Sequence, residues 1–290
     1  MSRIAYVNGR YVPHTDASVH VEDRGYQFAD GVYEVCEIRD GRIVDERRHL
    51  DRLDRSLSEL AIRAPFSRRT AGTILREVIR RNRVRSGLVY VQVTRGVARR
   101  DHAFPGPEVP PSVVVTAKSV PIEQGDLAAS AGVKVITLPD NRWDRVDIKS
   151  VSLLPNVLAK QKAREAGAKE AWFVDDGGMV TEGSSTNAWI VTKDGRIVTR
   201  PANHGILRGI TRAVVTEAIA GEGLTLEERP FSVAEALEAK EAFITAASTI
   251  VMPVTAIDDR PIGNGHPGTI ASNLRAKFHT YAEQSELLAN

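Results

Sequence analysis

Cysteine is all but missing from this 290-residue chain: Cys36 stands alone, so neither an internal disulfide nor a cysteine-based metal cage can form. Between Val35 and Glu37, on an expected strand, its thiol reads as a small core hydrophobe. A surplus of one charge is missing too. The 39 Lys plus Arg face 37 Asp plus Glu, a net of +2, which gives no general pull toward nucleic acid or an anionic membrane. Long apolar runs are absent as well. Met1-Ser2-Arg3-Ile4-Ala5-Tyr6 leads into polar residues rather than a secretory stretch, and the apolar segment near 242–254 is interrupted by Thr and Ser. A cytoplasmic protein is expected. No two of the seven histidines have metalloprotease spacing, and no fixed repeat or low-complexity tract occurs, so no metal site is expected.

What is present describes an ordinary globular protein, 42% hydrophobic and 26% charged, long enough for two domains. Asn8-Gly9, Asp40-Gly41, Asp176-Gly177 and Asp194-Gly195 each separate apolar-rich runs, as hairpin turns needing positive φ do. Leu50, Leu53, Leu57 and Leu60 share one helical face, and Ala71, Ile74, Leu75, Val78 and Ile79 another. The second of these helices, opening at Ser67, carries Arg68, Arg69, Arg76, Arg80, Arg81, Arg83 and Arg85; without interleaved aromatics this reads as a solvated face rather than a phosphate-backbone contact. Pro121 to Asp126 has linker composition, which predicts domains at 1–120 and 127–290. In the second half Pro155 fits the first turn of a helix ending near Gly167. Thr211 opens another that ends near Gly221, and Ser232-Val233-Ala234-Glu235 is a capping box. Strands and helices do not alternate strictly, so the class is α+β.

Lys149, in Asp147-Ile148-Lys149-Ser150, has apolar neighbours. An amine in such surroundings is costly to keep charged, and its neutral form can attack a carbonyl; taken alone, a surface lysine paired with Asp147 is the simpler reading. Glu182 sits among small residues in Thr181-Glu182-Gly183-Ser184-Ser185, where a carboxylate could hold a proton on a pyridine nitrogen or merely face water. Leu207-Arg208-Gly209-Ile210-Thr211 leads into a helix whose first N–H groups could bind a phosphate. Thr245-Ala246-Ala247-Ser248-Thr249 could add backbone donors. Arg52 lies off its helix's apolar stripe, where exposure is the default. Arg100 and His102 sit on a loop before Pro105 and could grip a carboxylate.

Asp23-Arg24-Gly25-Tyr26-Gln27-Phe28 with Asp30-Gly31-Val32-Tyr33-Glu34, His49-Leu50-Asp51-Arg52-Leu53, Asp147-Ile148-Lys149-Ser150, Thr181-Glu182-Gly183-Ser184-Ser185 and Gly209-Ile210-Thr211-Arg212 follow one another in an order that resembles the fold-type IV pyridoxal-phosphate enzymes. Arg100-Asp101-His102-Ala103-Phe104-Pro105, after Gln92-Val93-Thr94-Arg95-Gly96, is similar to the D-amino-acid aminotransferases, the D-alanine aminotransferase group in particular. The resemblance implies a small amino-terminal α/β domain, a larger carboxy-terminal pseudobarrel and a homodimer. It implies that Lys149 forms a Schiff base with pyridoxal 5'-phosphate and shuttles the substrate Cα proton, that Glu182 pairs with the pyridine nitrogen and that Leu207 packs on the ring. Arg52, Ile210 and Thr211 would hold the phosphate, Ser184 and Ser185 would line the pocket, and Tyr33, Arg100 and His102 would bind the α-carboxylate, the last two from the partner subunit. A D-amino acid would give its amine to a 2-oxo acid, 2-oxoglutarate or pyruvate, with ping-pong kinetics. Where these relatives carry hydroxyl residues this chain has Ala246 and Ala247, which implies a phosphate grip weaker by about 1 kcal/mol. Branched-chain L-aminotransferases and aminodeoxychorismate lyases share the scaffold, and the Arg100 and His102 pair speaks against both. An (R)-amine transaminase would have no use for a carboxylate clamp. A catalytically silent binding protein is disfavoured by the presence of both Lys149 and Glu182.

Overall fold

The computed structural model describes residues 3–286. It divides into two compact units. The first takes in the described residues up to Ile122, Ile148–Ser152 and the described residues from Glu283; the second takes in Glu123–Asp147 and Leu153–Ala282.

The first unit runs β1 (Ile4–Val7), β2 (Arg10–Pro13), α1 (Arg24–Phe28), β3 (Gly31–Arg39), β4 (Arg42–Ile43), α2 (Glu46–Glu59), α3 (Arg68–Asn82), β5 (Gly87–Thr94) and β6 (Ser112–Ser119). Its six strands form an antiparallel sheet in the order β2-β1-β6-β5-β3-β4. The expected turns close two of its hairpins, with Asn8 and Gly9 at φ 45° and 91° and Asp40 and Gly41 at 52° and 77°. Along β3 burial alternates with the period of two that a pleated strand imposes. Val32, Cys36 and Ile38 face the core with Leu53 and Leu57 of α2 and Val78 of α3, and each fully buried side chain of this kind contributes about 2 kcal/mol. The same alternation carries Glu34 inward, so a carboxylate lies 1% exposed in an apolar layer. Four of the arginines of α3 are tied to nearby acids, Arg68 to Asp51 and Asp54, Arg76 to Glu46, Arg80 and Arg81 to Glu77.

The Lys149 segment belongs to this unit. Tyr33 N donates to the Lys149 carbonyl at 3.0 Å and Val151 N to the Gly31 carbonyl at 3.0 Å, so residues 148–152 run antiparallel to the start of β3.

The second unit contains α4 (Ile122–Ala131), β7 (Val133–Pro139), α5 (Leu154–Glu165), β8 (Glu170–Val174), β9 (Val180–Gly183), β10 (Asn187–Val191), β11 (Ile197–Thr199), α6 (Ile210–Gly221), β12 (Leu226–Glu228), α7 (Val233–Glu238), β13 (Glu241–Ala246), β14 (Ile250–Ile257), β15 (Arg260–Pro261) and α8 (Thr269–Tyr281). The strands form a mixed nine-stranded sheet ordered β12-β11-β10-β13-β14-β7-β8-β9, with β15 on β14; curled into a half-barrel, it is the pseudobarrel expected of the larger domain. Trp172, Phe231, Val254 and Met252 build its core. Pro155 lies in the first turn of α5, and Ser232 caps α7 by accepting from Glu235 N at 3.1 Å. Residues 122–131, expected to begin as linker, are helical. Among the described residues no helix is long and apolar enough to cross a membrane.

Candidate active site

In the second unit, β9 carries Glu182 into the interior, where it is 5% exposed. Arg142 Nη1 donates to its Oε1 at 2.6 Å and Asn187 Nδ2 to its Oε2 at 3.0 Å, while Leu207 N donates to both oxygens at 3.2 and 3.1 Å. Burial pushes the carboxyl up to about 7. The Arg142 guanidinium beside it opposes that rise by charge and hydrogen bond, the Leu207 N–H opposes it further, and nearby Asp140 adds to it. Arg142 cannot serve Glu182 fully because its Nε and Nη2 donate to Asp140 at 2.8 and 2.7 Å. Three donors meet a group with about four acceptor directions, which leaves room for one more.

The same corner reaches the start of α6. Asn187 Nδ2 also donates to the Leu207 carbonyl at 3.0 Å, and a Cβ on Gly209 would lie 2.1 Å from Asn187 Oδ1. Only glycine lets the chain pass there. Gly209 is the N-cap of α6, no side chain caps the helix, and its first turn holds no acid. Thr211 is buried beside that start and Ile210 is half-buried. An uncapped helix start that gathers free N–H groups, a hydroxyl and the positive end of the dipole suits a phosphate. A carboxylate with an acceptor direction open suits a protonated ring nitrogen. These residues therefore fit pyridoxal phosphate.

Ser184 and Ser185 are engaged elsewhere. Both hydroxyls donate to buried Glu170, Ser185 at 2.7 Å, and Lys160 lies 3.2 Å from the same carboxylate. Their backbone is also pinned, with Asn156 Nδ2 donating to the Ser184 carbonyl at 2.8 Å. Ala246 and Ala247 are half-buried at the turn between β13 and β14, where Thr249 N donates to the Ala246 carbonyl at 3.1 Å. Asp147 is taken by Arg145 at 2.9 Å and His204 at 3.3 Å.

In the first unit Lys149 is half-buried, its Nζ 4.1 Å from the centre of the Tyr33 ring, and no ion pair is seen at it among the described residues. Its N–H donates to the buried Ser56 hydroxyl at 3.3 Å. Arg52, expected at the surface by its place on α2, instead has a side chain only 9% exposed. It clamps Glu34 from two sides, Nε to Oε1 at 2.7 Å and Nη2 to Oε2 at 2.8 Å, and His49 Nδ1 completes the cluster at 2.8 Å. Burial alone would raise the Glu34 carboxyl; Arg52, by charge and hydrogen bond, and then His49 outweigh it and hold the group down at about 2. Arg100 and His102 are exposed and share one platform, the Phe28 ring, with the Arg100 guanidinium 5.1 Å from its centre and the His102 ring 5.4 Å.

Arg142, Asn187 and Glu170 were not singled out from the sequence. The pattern Asp140-Asn141-Arg142 puts acid and base two apart, on the same side of an extended segment, which could have flagged a paired site.

The amino-transferase class IV family model matches residues 31–257. The chain is 43% identical over 268 residues to a D-alanine aminotransferase of Bacillus licheniformis, covering 92% of this chain and 93% of that one. It is 38% identical over 278 residues to that of Staphylococcus haemolyticus, covering 96% and 97%. Among solved structures, a branched-chain amino acid aminotransferase from T.th., crystallised with pyridoxamine 5'-phosphate, superposes with a TM-score of 0.88 at 28% identity, covering 96% and 93%. The branched-chain amino acid aminotransferase from Escherichia coli reaches 0.88 at 21% identity over the whole of both chains, a likeness of fold.

Proposed function

The chain belongs to the amino-transferase class IV family, and from that membership we propose a pyridoxal-phosphate-dependent aminotransferase that moves the amine of a D-amino acid to a 2-oxo acid. The observation that carries the proposal is the Glu182 corner, a buried carboxylate pushed up to about 7 beside an uncapped helix start. When bound, pyridoxal phosphate supplies a protonated ring that takes up the electron pair left as the substrate Cα proton departs.

Each residue then has a role. Lys149 would hold the cofactor and move the Cα proton. Glu182 holds the proton on the ring nitrogen, and Arg142 and Asn187 hold Glu182. Leu207 would pack on the ring. Thr211, Ile210, the turn at Ala246 and Ala247, and Arg52 would hold the phosphate, and Ser184 and Ser185 would line the pocket. Tyr33, Arg100 and His102 receive the α-carboxylate. Because the proton reaches Cα from one fixed face, the side on which that carboxylate is held decides the enantiomer. Identity to D-alanine aminotransferases of 38–43% supports the D assignment. A homodimer in the cytoplasm completes the reading; light scattering on the purified protein tests the dimer.

The test of activity offers the protein D-alanine or L-leucine with 2-oxoglutarate, and aminodeoxychorismate alone. Pyruvate and D-glutamate from D-alanine are expected. Transfer from L-leucine but not D-alanine would overturn the proposal, as would pyruvate from aminodeoxychorismate without any amine transfer.

A further inference from the structure

Arg24 places a guanidinium in the interior, 3% exposed. It opens α1, whose N-cap Asp23 accepts from Gly25 N at 2.9 Å and from Thr94 Oγ1 at 3.0 Å, fastening the helix start to the end of β5. A Cβ on Gly25 would lie 2.2 Å from Thr94 Cγ2, so that approach needs glycine. A buried guanidinium destabilises a fold unless its five N–H donors find acceptors. Arg24 finds them in two directions. Its Nε donates to Asp30 Oδ2 at 2.8 Å. Its Nη1 donates to the carbonyls of Asp101 at 2.6 Å and Ala103 at 3.2 Å, and its Nη2 to that of His102 at 3.3 Å.

Those carbonyls belong to the loop that bears Arg100 and His102. Asp30 is shared with a second buried cation, Arg95, which donates to it through Nε at 2.8 Å and Nη2 at 3.0 Å. The Arg95 guanidinium in turn lies 3.6 Å from the centre of the Phe104 ring. Phe28, the platform under Arg100 and His102, also lies 4.8 Å from the Arg24 guanidinium. The loop is thus held to the interior at 101–103 and at 104, although it contains no regular secondary structure. The side chains of Arg100 and His102 stay exposed.

We infer that Arg24 is a positioning residue: by gripping three successive carbonyls with one fork, it fixes the direction in which Arg100 and His102 meet the substrate carboxylate. The inference rests on the carboxylate role proposed above for those two residues. A loop without the strut must be ordered at each binding event, which weakens affinity and leaves proton transfer at Cα untouched. Lysine cannot replace the fork, because its ammonium is a single compact centre.

The test uses holoenzyme of the wild type and of Arg24→Lys, Arg24→Ala, Arg100→Ala and the Arg24→Lys/Arg100→Ala double variant. Steady-state kinetics with D-alanine are paired with titration by propionate, a carboxylate without an amine, followed through the cofactor's absorbance. Arg24→Lys is expected to raise KM for D-alanine and Kd for propionate about tenfold, with kcat within about twofold. In the Arg100→Ala background the same change is expected to add less than about twofold, since it acts through Arg100. Should Arg24→Ala not fold, Arg24→Lys keeps the buried charge and carries the measurement. Unchanged KM and Kd in Arg24→Lys, a loss confined to kcat, or an equal loss with and without Arg100 would each overturn the inference. If Arg100→Ala itself leaves KM and Kd unchanged, the carboxylate role fails and the inference with it; if it raises them while Arg24→Lys does not, only the role of Arg24 fails.

Discussion

Glu34 and Glu182 are both buried glutamates in contact with an arginine, and they are driven in opposite directions. Burial pushes each carboxyl up. At Glu34 the arginine answers with both arms of its fork, His49 adds a second donor, and the group is held down at about 2. At Glu182 the arginine spends two of its nitrogens on Asp140, whose own charge adds to the rise, and the group is pushed up to about 7. Contact with a cation therefore does not decide whether a buried acid stays charged; what decides is how much of that cation is already neutralised. The first arrangement makes a fixed structural charge. The second leaves a carboxylate that still gains from one more cationic N–H, the property a ring-nitrogen partner needs.

The comparison breaks most visibly through Glu34→Gln. Removing that carboxylate leaves Arg52 buried without its main partner, at a cost of about 3–5 kcal/mol, seen as a melting temperature lower by roughly 10 °C. A drop of only about 1 °C would show that Glu34 does not neutralise Arg52. Glu182→Gln is expected to leave the fold intact while lowering kcat on the order of 100-fold, because the ring proton loses its acceptor.

The two acids also differ in their pH windows. The Glu34 value lies below the ordinary 4.5, so its contribution is complete above about pH 4.5 and is lost as pH falls toward 2. The Glu182 value lies above 4.5, so its contribution is complete below about pH 4.5 and is lost as pH rises through 7. Urea unfolding of protein freed of cofactor should therefore show a fall of up to about 3 kcal/mol between pH 4.5 and 7. Glu182→Gln should abolish that fall, and an unchanged slope would remove Glu182 as its source. The smallest effect is expected where no acid is involved. Ala247→Thr, which offers a hydroxyl at the phosphate end, should slow loss of cofactor on dialysis by about fivefold, corresponding to about 1 kcal/mol; wild type that already retains its full complement after prolonged dialysis would show the hydroxyl unnecessary.

Much of the local structure was legible because its causes are local. Asn8-Gly9 and Asp40-Gly41 need positive φ, Ser232 meets Glu235 three residues on, and the leucines of α2 repeat with the helix period. The motif residues Lys149, Glu182 and Thr211 could be named because they stand in recognisable runs. Their supports could not. Arg142 reaches Glu182 across 40 residues, Arg24 reaches the Asp101 carbonyl across 77, and Arg95 reaches Asp30 across 65. Helical periodicity alone puts Arg52 at the surface, because it reports the apolar stripe of α2 and is blind to Glu34, which β3 turns toward it from 18 residues away. Residues 121–126 read as linker from their composition, yet from Ile122 onward they form the start of α4.

Cys36, two residues along β3 from Glu34, is 2% exposed, and burial pushes its thiol well above the ordinary cysteine range. It is also the chain's sole sulfhydryl. A thiol-specific reagent therefore finds no target on the folded protein and reacts only when the sheet around β3 opens. The rate of labelling is thus a stopwatch for that opening, built into the native chain and requiring no engineered probe.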